Sequence, residues 1–235
     1  MTKTALGLSG NQLKLIALIT MTLDHIGAYL LPQYEILRII GRISLPIYAF
    51  LIAEGCRYTK NKFRYWALMT GLAALCQLVY FFAMGSLYMC ILVTFSLAIL
   101  LIYALQLVDK KKNTLSCLVF FAVMGLCYVV SEQLPRYIPG LYIDYGFRGI
   151  LLPLFFYFGN TKPQKLLGGA VGMCFLAFGG SLQYYSLLAL IPLALYSGKR
   201  GKYSYKYLFY LYYPLHLVAI HGARWVIENI LPKFS

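Results

Sequence analysis

Charged side chains are scarce in this 235-residue chain: Asp, Glu, Lys and Arg together make up 12% of it, and only seven are acidic. A soluble domain of this length needs a polar surface that a 61% apolar composition does not provide. Paired cysteines are missing too. Cys56, Cys76, Cys90, Cys117, Cys127 and Cys174 stand singly, most of them inside apolar runs, with no CxxC and no Cys/His spacing. They read as small apolar residues and imply neither disulfides nor a metal. There is no basic groove and no aromatic-basic alternation, so the formal charge of +14 does not signal nucleic acid. No internal repeat, low-complexity segment or linker divides the chain, and a single domain over residues 1–235 is expected. A cleavable signal is not expected either: the apolar run after Lys3 and Lys14 outlasts a signal's length and carries Asp24 and His25.

What remains is apolar sequence in blocks. A helix crossing the hydrocarbon needs roughly 20 apolar residues. Runs fall near 13–31, 36–55, 64–83, 87–108, 115–131, 143–159, 165–180, 183–197 and 206–228. The expected fold is therefore an all-α, polytopic membrane bundle of about nine spans. Of the 21 Lys and Arg, 15 fall on one side when loops are counted alternately, among them Arg57, Lys60, Lys110, Lys165, Lys199, Arg200 and Lys202. By the positive-inside bias that side is cytoplasmic, which puts the N-terminus inside.

Against this background the ionisable residues within spans stand out. With that orientation, Asp24 and His25 lie in the outer half of the first span, Arg38 and Arg42 in the outer half of the second, and Asp144 and Arg148 at the start of the sixth. The last span carries His216, His221 and Arg224. Charges in hydrocarbon are costly and normally face a bundle interior or a wet cavity, so one shared cavity open to the outer side is expected. Arg38 and Arg42 are four apart and share a helix face, as would Asp144 with Arg148 and Arg224 with Glu228. Asp24 and His25 are adjacent and diverge by roughly 100°. Asp24 is thus expected to pair with an Arg of the second span, leaving His25 to meet substrate. The plain alternatives are interhelical packing contacts for Asp24 and His25, snorkelling for Arg38, and outer-interface anchoring for His221 and Arg224. Gly168 and Gly172, at GxxxG spacing, read as close helix packing.

The segments "LKLIALITMTLDHIG", "LRIIGRISLPIYAFLIAEGCRYT", "DYGFRGILL" and "LYSGKRGKYSYKYLFYLYYPLHL" resemble, in order and over nearly the whole chain, the TraX family, named for the F-pilin acetylase. The resemblance implies an integral membrane acyltransferase that takes acetyl groups from acetyl-CoA. It carries over to Asp24, His25, Gly41, Arg42, Glu54, Gly55 and His216.

Acetyl transfer needs a base, charge stabilisation for a tetrahedral oxyanion and a grip on CoA. His25 is the candidate base, Arg42 the oxyanion partner and Asp24 the group that holds Arg42. His216 is a second proton carrier or a nucleophile forming an acetyl-imidazole, and sequence does not separate the two. Arg57, Lys60, Lys62, Lys199, Arg200 and Lys202 are candidates for the CoA phosphates, with Glu54 near the pantetheine entrance. Positive-inside topology alone also accounts for these cations. Arg38, Asp144, Arg148 and His221 are candidates for contact with the acceptor, which would be a peptide N-terminus, a glycan or a small molecule in the outer half of the membrane. Two other classes fit the same charges: a small transporter or flippase for a polar solute, and a structural subunit of an envelope assembly.

Overall fold

A computed structural model describes residues 7–178, 180–201 and 206–230. Helix α1 (Gly10–Tyr29) starts at a capping box: Ser9 Oγ accepts from the Gln12 N–H, and the Ser9 N–H donates to Gln12 Oε1 at 2.8 Å. The second apolar run forms two helices, α2 (Glu35–Gly41) and α3 (Ser44–Tyr58), with a tight turn at Arg42 and Ile43. Pro46 has no N–H to offer the Arg42 carbonyl, and the chain tightens there through the Ile43 N–H on Ile40 O at 3.2 Å. Then come α4 (Lys62–Met84), β1 (Tyr88–Met89), α5 (Ile91–Lys111), α6 (Thr114–Tyr128), a π-helical turn (Val129–Gln133), α7 (Leu134–Tyr137), β2 (Tyr142–Ile143), α8 (Gly146–Phe158) and α9 (Lys162–Ala177). A 3-10 stretch (Ser181–Ala189), α10 (Leu190–Ala194) and α11 (Lys206–Asn229) complete the order.

Among the described residues, four helical stretches are long and apolar enough to cross a membrane: Glu35–Tyr58, Lys62–Phe82, Ile91–Lys111 and Thr114–Tyr137. Phe82, Leu118 and Phe121 point outward, as lipid-facing side chains do. The chain is a helical membrane protein. The run at 183–197 is not one α-helix as expected. It is nine residues of 3-10 followed by five of α10, and Pro192 withholds the N–H that the Leu188 carbonyl would need.

The chain packs as two compact units. One takes in the described residues of Met1–Tyr48 and Ala177–Ser235, the other Ala49–Leu176, so the boundary falls inside α3. In the first unit α1 is antiparallel to α2 and parallel to α11. Its first turn is stitched to the loop after α10: Leu8 N–H donates to Leu195 O at 2.8 Å, Gly10 N–H to Lys199 O at 2.8 Å and Asn11 N–H to Arg200 O at 3.1 Å.

The second unit is built on α5, whose Ile99, Leu101 and Ile102 are fully buried with Ile150, Leu152 and Phe156 of α8 and Met173 of α9. The two short strands pair in parallel, Tyr88 with Tyr142 and Met89 with Ile143. Helices α8 and α9 meet at the glycines that the spacing singled out. A Cβ at Gly172 would come within 2.9 Å of Leu152 and Phe155, one at Gly168 would meet the Phe155 carbonyl, and one at the neighbouring Gly169 would enter the Phe156 ring. Gly169→Ala is therefore expected to destabilise the protein by ~1–3 kcal/mol, the range for overpacking a tight core. Gly125→Ala, where a Cβ meets nothing within 4 Å, should leave stability unchanged or slightly raised. Thermal unfolding in detergent distinguishes the two.

Candidate functional site

Helix α1 presents two polar faces to two neighbours. On one, Asp24 meets both arginines of the second apolar run. Arg38 Nη1 donates to Asp24 Oδ2 at 2.8 Å and to the Asp24 carbonyl at 3.1 Å, and Arg42 Nη2 donates to Asp24 Oδ1. Arg42 Nε adds a bond to the Arg38 carbonyl at 3.3 Å. Asp24 and Arg42 are buried, while the Arg38 side chain keeps 29% of its surface. Glycines make this close approach possible. A Cβ at Gly27 would lie 2.8 Å from Leu37, and one at Gly41 would collide with the Asp24 carboxylate. The cluster holds one carboxylate and two guanidiniums.

On the other face, Thr22, His25 and Tyr29 form a stripe spaced three and four residues apart, and α11 runs alongside. Thr22 Oγ1 donates to the Leu18 carbonyl at 2.8 Å and lies 2.7 Å from the Tyr212 hydroxyl, which must therefore donate to it. His25 Nδ1 lies 2.8 Å from His216 Nε2, and His216 Nδ1 lies 2.9 Å from the Tyr212 carbonyl. The Tyr212 ring lies parallel to that of His216 at 5.2 Å, and Tyr29 packs on His221 with ring centroids 4.6 Å apart. Asp24, His25, Arg38, Arg42, His216 and His221 thus belong to one compact unit. One ring nitrogen of His25 is held by His216, a contact between the two histidines that the sequence did not indicate. The signal for that pair is a set of polar and ring side chains at 22, 25 and 29, three and four apart, facing another at 212, 216 and 221, four and five apart. It is readable only once α1 and α11 are known to lie side by side.

Lys199 and Arg200 are in the same unit, exposed at the foot of α1, with their carbonyls on its first two N–H groups. Gly10 lies 15 residues before His25, a rise of roughly 22 Å at 1.5 Å per residue. Lys202 and the Glu228 side chain lie outside the described residues.

The second unit holds the remaining candidates. Glu54, buried near the end of α3, accepts from Lys165 Nζ at 2.6 Å, and Arg57 Nε lies 3.7 Å away. Arg57 Nη2 donates to the Tyr157 and Gly159 carbonyls at 2.7 and 2.8 Å, capping the end of α8. Arg57 is therefore a clamp between helices, and Lys165, not singled out in the sequence, is the main partner of Glu54. Lys60 is exposed. Asp144 and Arg148 do not share a helix face, because α8 begins only at Gly146. Tyr145 and Gly146 both take positive φ, 60° and 53°, and turn the chain between β2 and α8. Asp144 is tied down by its backbone, its N–H on Met89 O at 3.0 Å and its carbonyl on Thr94 Oγ1 at 2.6 Å. Arg148 lies 6.0 Å from the Phe175 ring. Glu132, on the π-turn, takes the Phe147 N–H at 2.8 Å and caps α8 from another helix. Nothing in its local sequence signalled that role.

Comparison with known proteins adds the lineage. A "Probable fimbrial assembly protein FimC, serogroup H1" of Dichelobacter nodosus is 27% identical over 94% of this chain and 97% of its own length. An "Uncharacterized protein RP591" of Rickettsia prowazekii (strain Madrid E) is 30% identical over 77% of this chain and 67% of its own. No solved structure matches. The family described as TraX protein matches residues 9–224, a stretch that begins at the cap of α1 and ends past His221. It thereby encloses both polar faces of α1 and their partners on α2 and α11, and the chain belongs to the TraX family.

Proposed function

We propose that this protein is an acyltransferase that takes an acetyl or similar short acyl group from acetyl-CoA on the cytosolic side. It delivers that group to an amine or hydroxyl in the outer half of the cell membrane, which the chain crosses about nine times from a cytoplasmic N-terminus. The observation that carries the reading is the pairing of half-buried His25 with buried His216 on one face of α1 and the Asp24–Arg38–Arg42 cluster on the other. A base and a fixed cation are the two elements that attack on a thioester requires. The base takes the acceptor's proton, and the cation stabilises the oxyanion where little water competes. TraX membership and the fimbrial-assembly name of one relative support a pilus-like protein amine as acceptor.

Lys14, Lys199 and Arg200 at the foot of α1 form a cationic cluster suited to CoA phosphates. Purified protein in detergent should bind CoA and release it from labelled acetyl-CoA in the presence of an amine acceptor. Lys199→Ala with Arg200→Ala should raise KM for acetyl-CoA about tenfold, the loss of roughly one charge-assisted contact, with kcat preserved. Protein that neither binds nor consumes CoA, yet moves a polar solute in proteoliposomes, would be a transporter.

A further inference from the structure

Within the acyltransferase reading, the two histidines do not have interchangeable roles. A backbone carbonyl only accepts hydrogen bonds, so the 2.9 Å contact between His216 Nδ1 and Tyr212 O requires the hydrogen to sit on Nδ1. A neutral His216 then has a bare Nε2. The 2.8 Å contact to His25 must be donated by His25 Nδ1–H. This fixes the second ring in turn: neutral His25 carries its hydrogen on Nδ1 and a lone pair on Nε2. Among the described residues, Nε2 of His25 has no hydrogen-bond partner. His216 has both nitrogens engaged, is buried, and is gripped further by the Tyr212 ring, whose hydroxyl is anchored on Thr22.

We propose that the chain Tyr212 carbonyl–His216–His25 is a tautomer lock that makes Nε2 of His25 the catalytic nitrogen and His216 a positioning residue that never carries the acyl group. In the reaction, Nε2 accepts the N–H or O–H proton of the acceptor as the acceptor's heteroatom bonds to the thioester carbonyl carbon. When the tetrahedral intermediate collapses, the C–S bond breaks and the CoA sulfur takes that same proton back from Nε2. Throughout, the Nδ1–H of His25 stays on His216 and spreads the imidazolium charge toward the Tyr212 carbonyl. The roles parallel those of an orienting partner behind a catalytic histidine, filled here by an imidazole and a peptide carbonyl.

The chain has three histidines, so the lock can be read directly. Full-length protein labelled with nitrogen-15 histidine, at a pH where the imidazoles are neutral, should show His25 bare at Nε2 and His216 bearing hydrogen at Nδ1. Diethyl pyrocarbonate should modify His25 and spare His216. His216→Asn should lower kcat by about 10²-fold with KM for acetyl-CoA little changed, and should return His25 to a mixture of tautomers. Tyr212→Phe keeps the carbonyl and should keep the tautomer pattern. A bare Nδ1 on His25, or an acetyl group trapped on His216, overturns the assignment, and the spectrum of the unmutated protein decides this even if His216→Asn does not fold. The locked pattern in a protein that transfers nothing would uphold the lock and sink the acyltransferase reading.

Discussion

Replacing His25 with asparagine should lower acetyl transfer by about 10²- to 10⁴-fold, the usual contribution of a positioned general base. The loss should fall on kcat, because the CoA phosphates are assigned to the foot of α1, and KM for acetyl-CoA should stay near its original value. The fold should survive. Among the described residues His25 makes one side-chain hydrogen bond, to His216, while α1 is held by its capping box, its backbone ties to the 195–200 loop and its packing on α2. Initial rates with labelled acetyl-CoA, taken beside thermal unfolding of the same preparation, provide the check. A variant that folds and keeps its rate removes His25 from the mechanism. A variant that loses both rate and fold would make the His25–His216 bond a packing contact, the plain reading of two histidines in a membrane helix. In the active protein the rising limb of the rate–pH profile should reflect the His25–His216 pair as a unit, and that limb should vanish in the asparagine variant.

How far the sequence anticipates this arrangement depends on the kind of signal. The helical membrane class follows from solvent physics, since 61% apolar residues in blocks leave few other solutions. The Asp24 pairing was readable from angle alone. Adjacent residues on a helix diverge, so an acid beside His25 had to look elsewhere, and Arg38 and Arg42 share a face. The GxxxG contact was readable because only glycine permits that approach. Signals failed where the relevant partner was distant in sequence. Glu54 and Lys165 are 111 residues apart, and His25 and His216 are 191 apart, so no local pattern links them. They failed also at backbone irregularities. The break at Arg42, the 3-10 stretch before α10 and the double left-handed turn at Tyr145 and Gly146 each interrupt a run that hydropathy alone joins together. The cationic segments divided in an instructive way. Arg57 proved to be a helix clamp, whereas Lys199 and Arg200 are exposed at the foot of α1, although all three carried the same charge signal.

Asp24→Asn should be the most destabilising single change in the first unit. It preserves shape but leaves Arg42, 5% exposed, without its counter-ion, and stranding one partner of a buried pair costs about 3–5 kcal/mol. Arg38 suffers less, because its part-exposed side chain can extend toward the interface. The size of that loss does not measure a catalytic role, so a second variant is needed to separate structure from chemistry. Asp24→Leu combined with Arg42→Met replaces the ion pair with apolar groups, an exchange that is often neutral or stabilising in other proteins. The double variant should therefore recover most of the stability that Asp24→Asn loses. It should remain inactive, because the fixed cation that the oxyanion needs is gone. Unfolding temperatures and transfer rates for Asp24→Leu, Arg42→Met and the double close a thermodynamic cycle over one salt bridge. A double variant that is stable and active would make the Asp24–Arg42 bridge a packing device alone. One that is stable and inactive, with His25 still reactive toward diethyl pyrocarbonate, would place the guanidinium in the reaction beside an intact base.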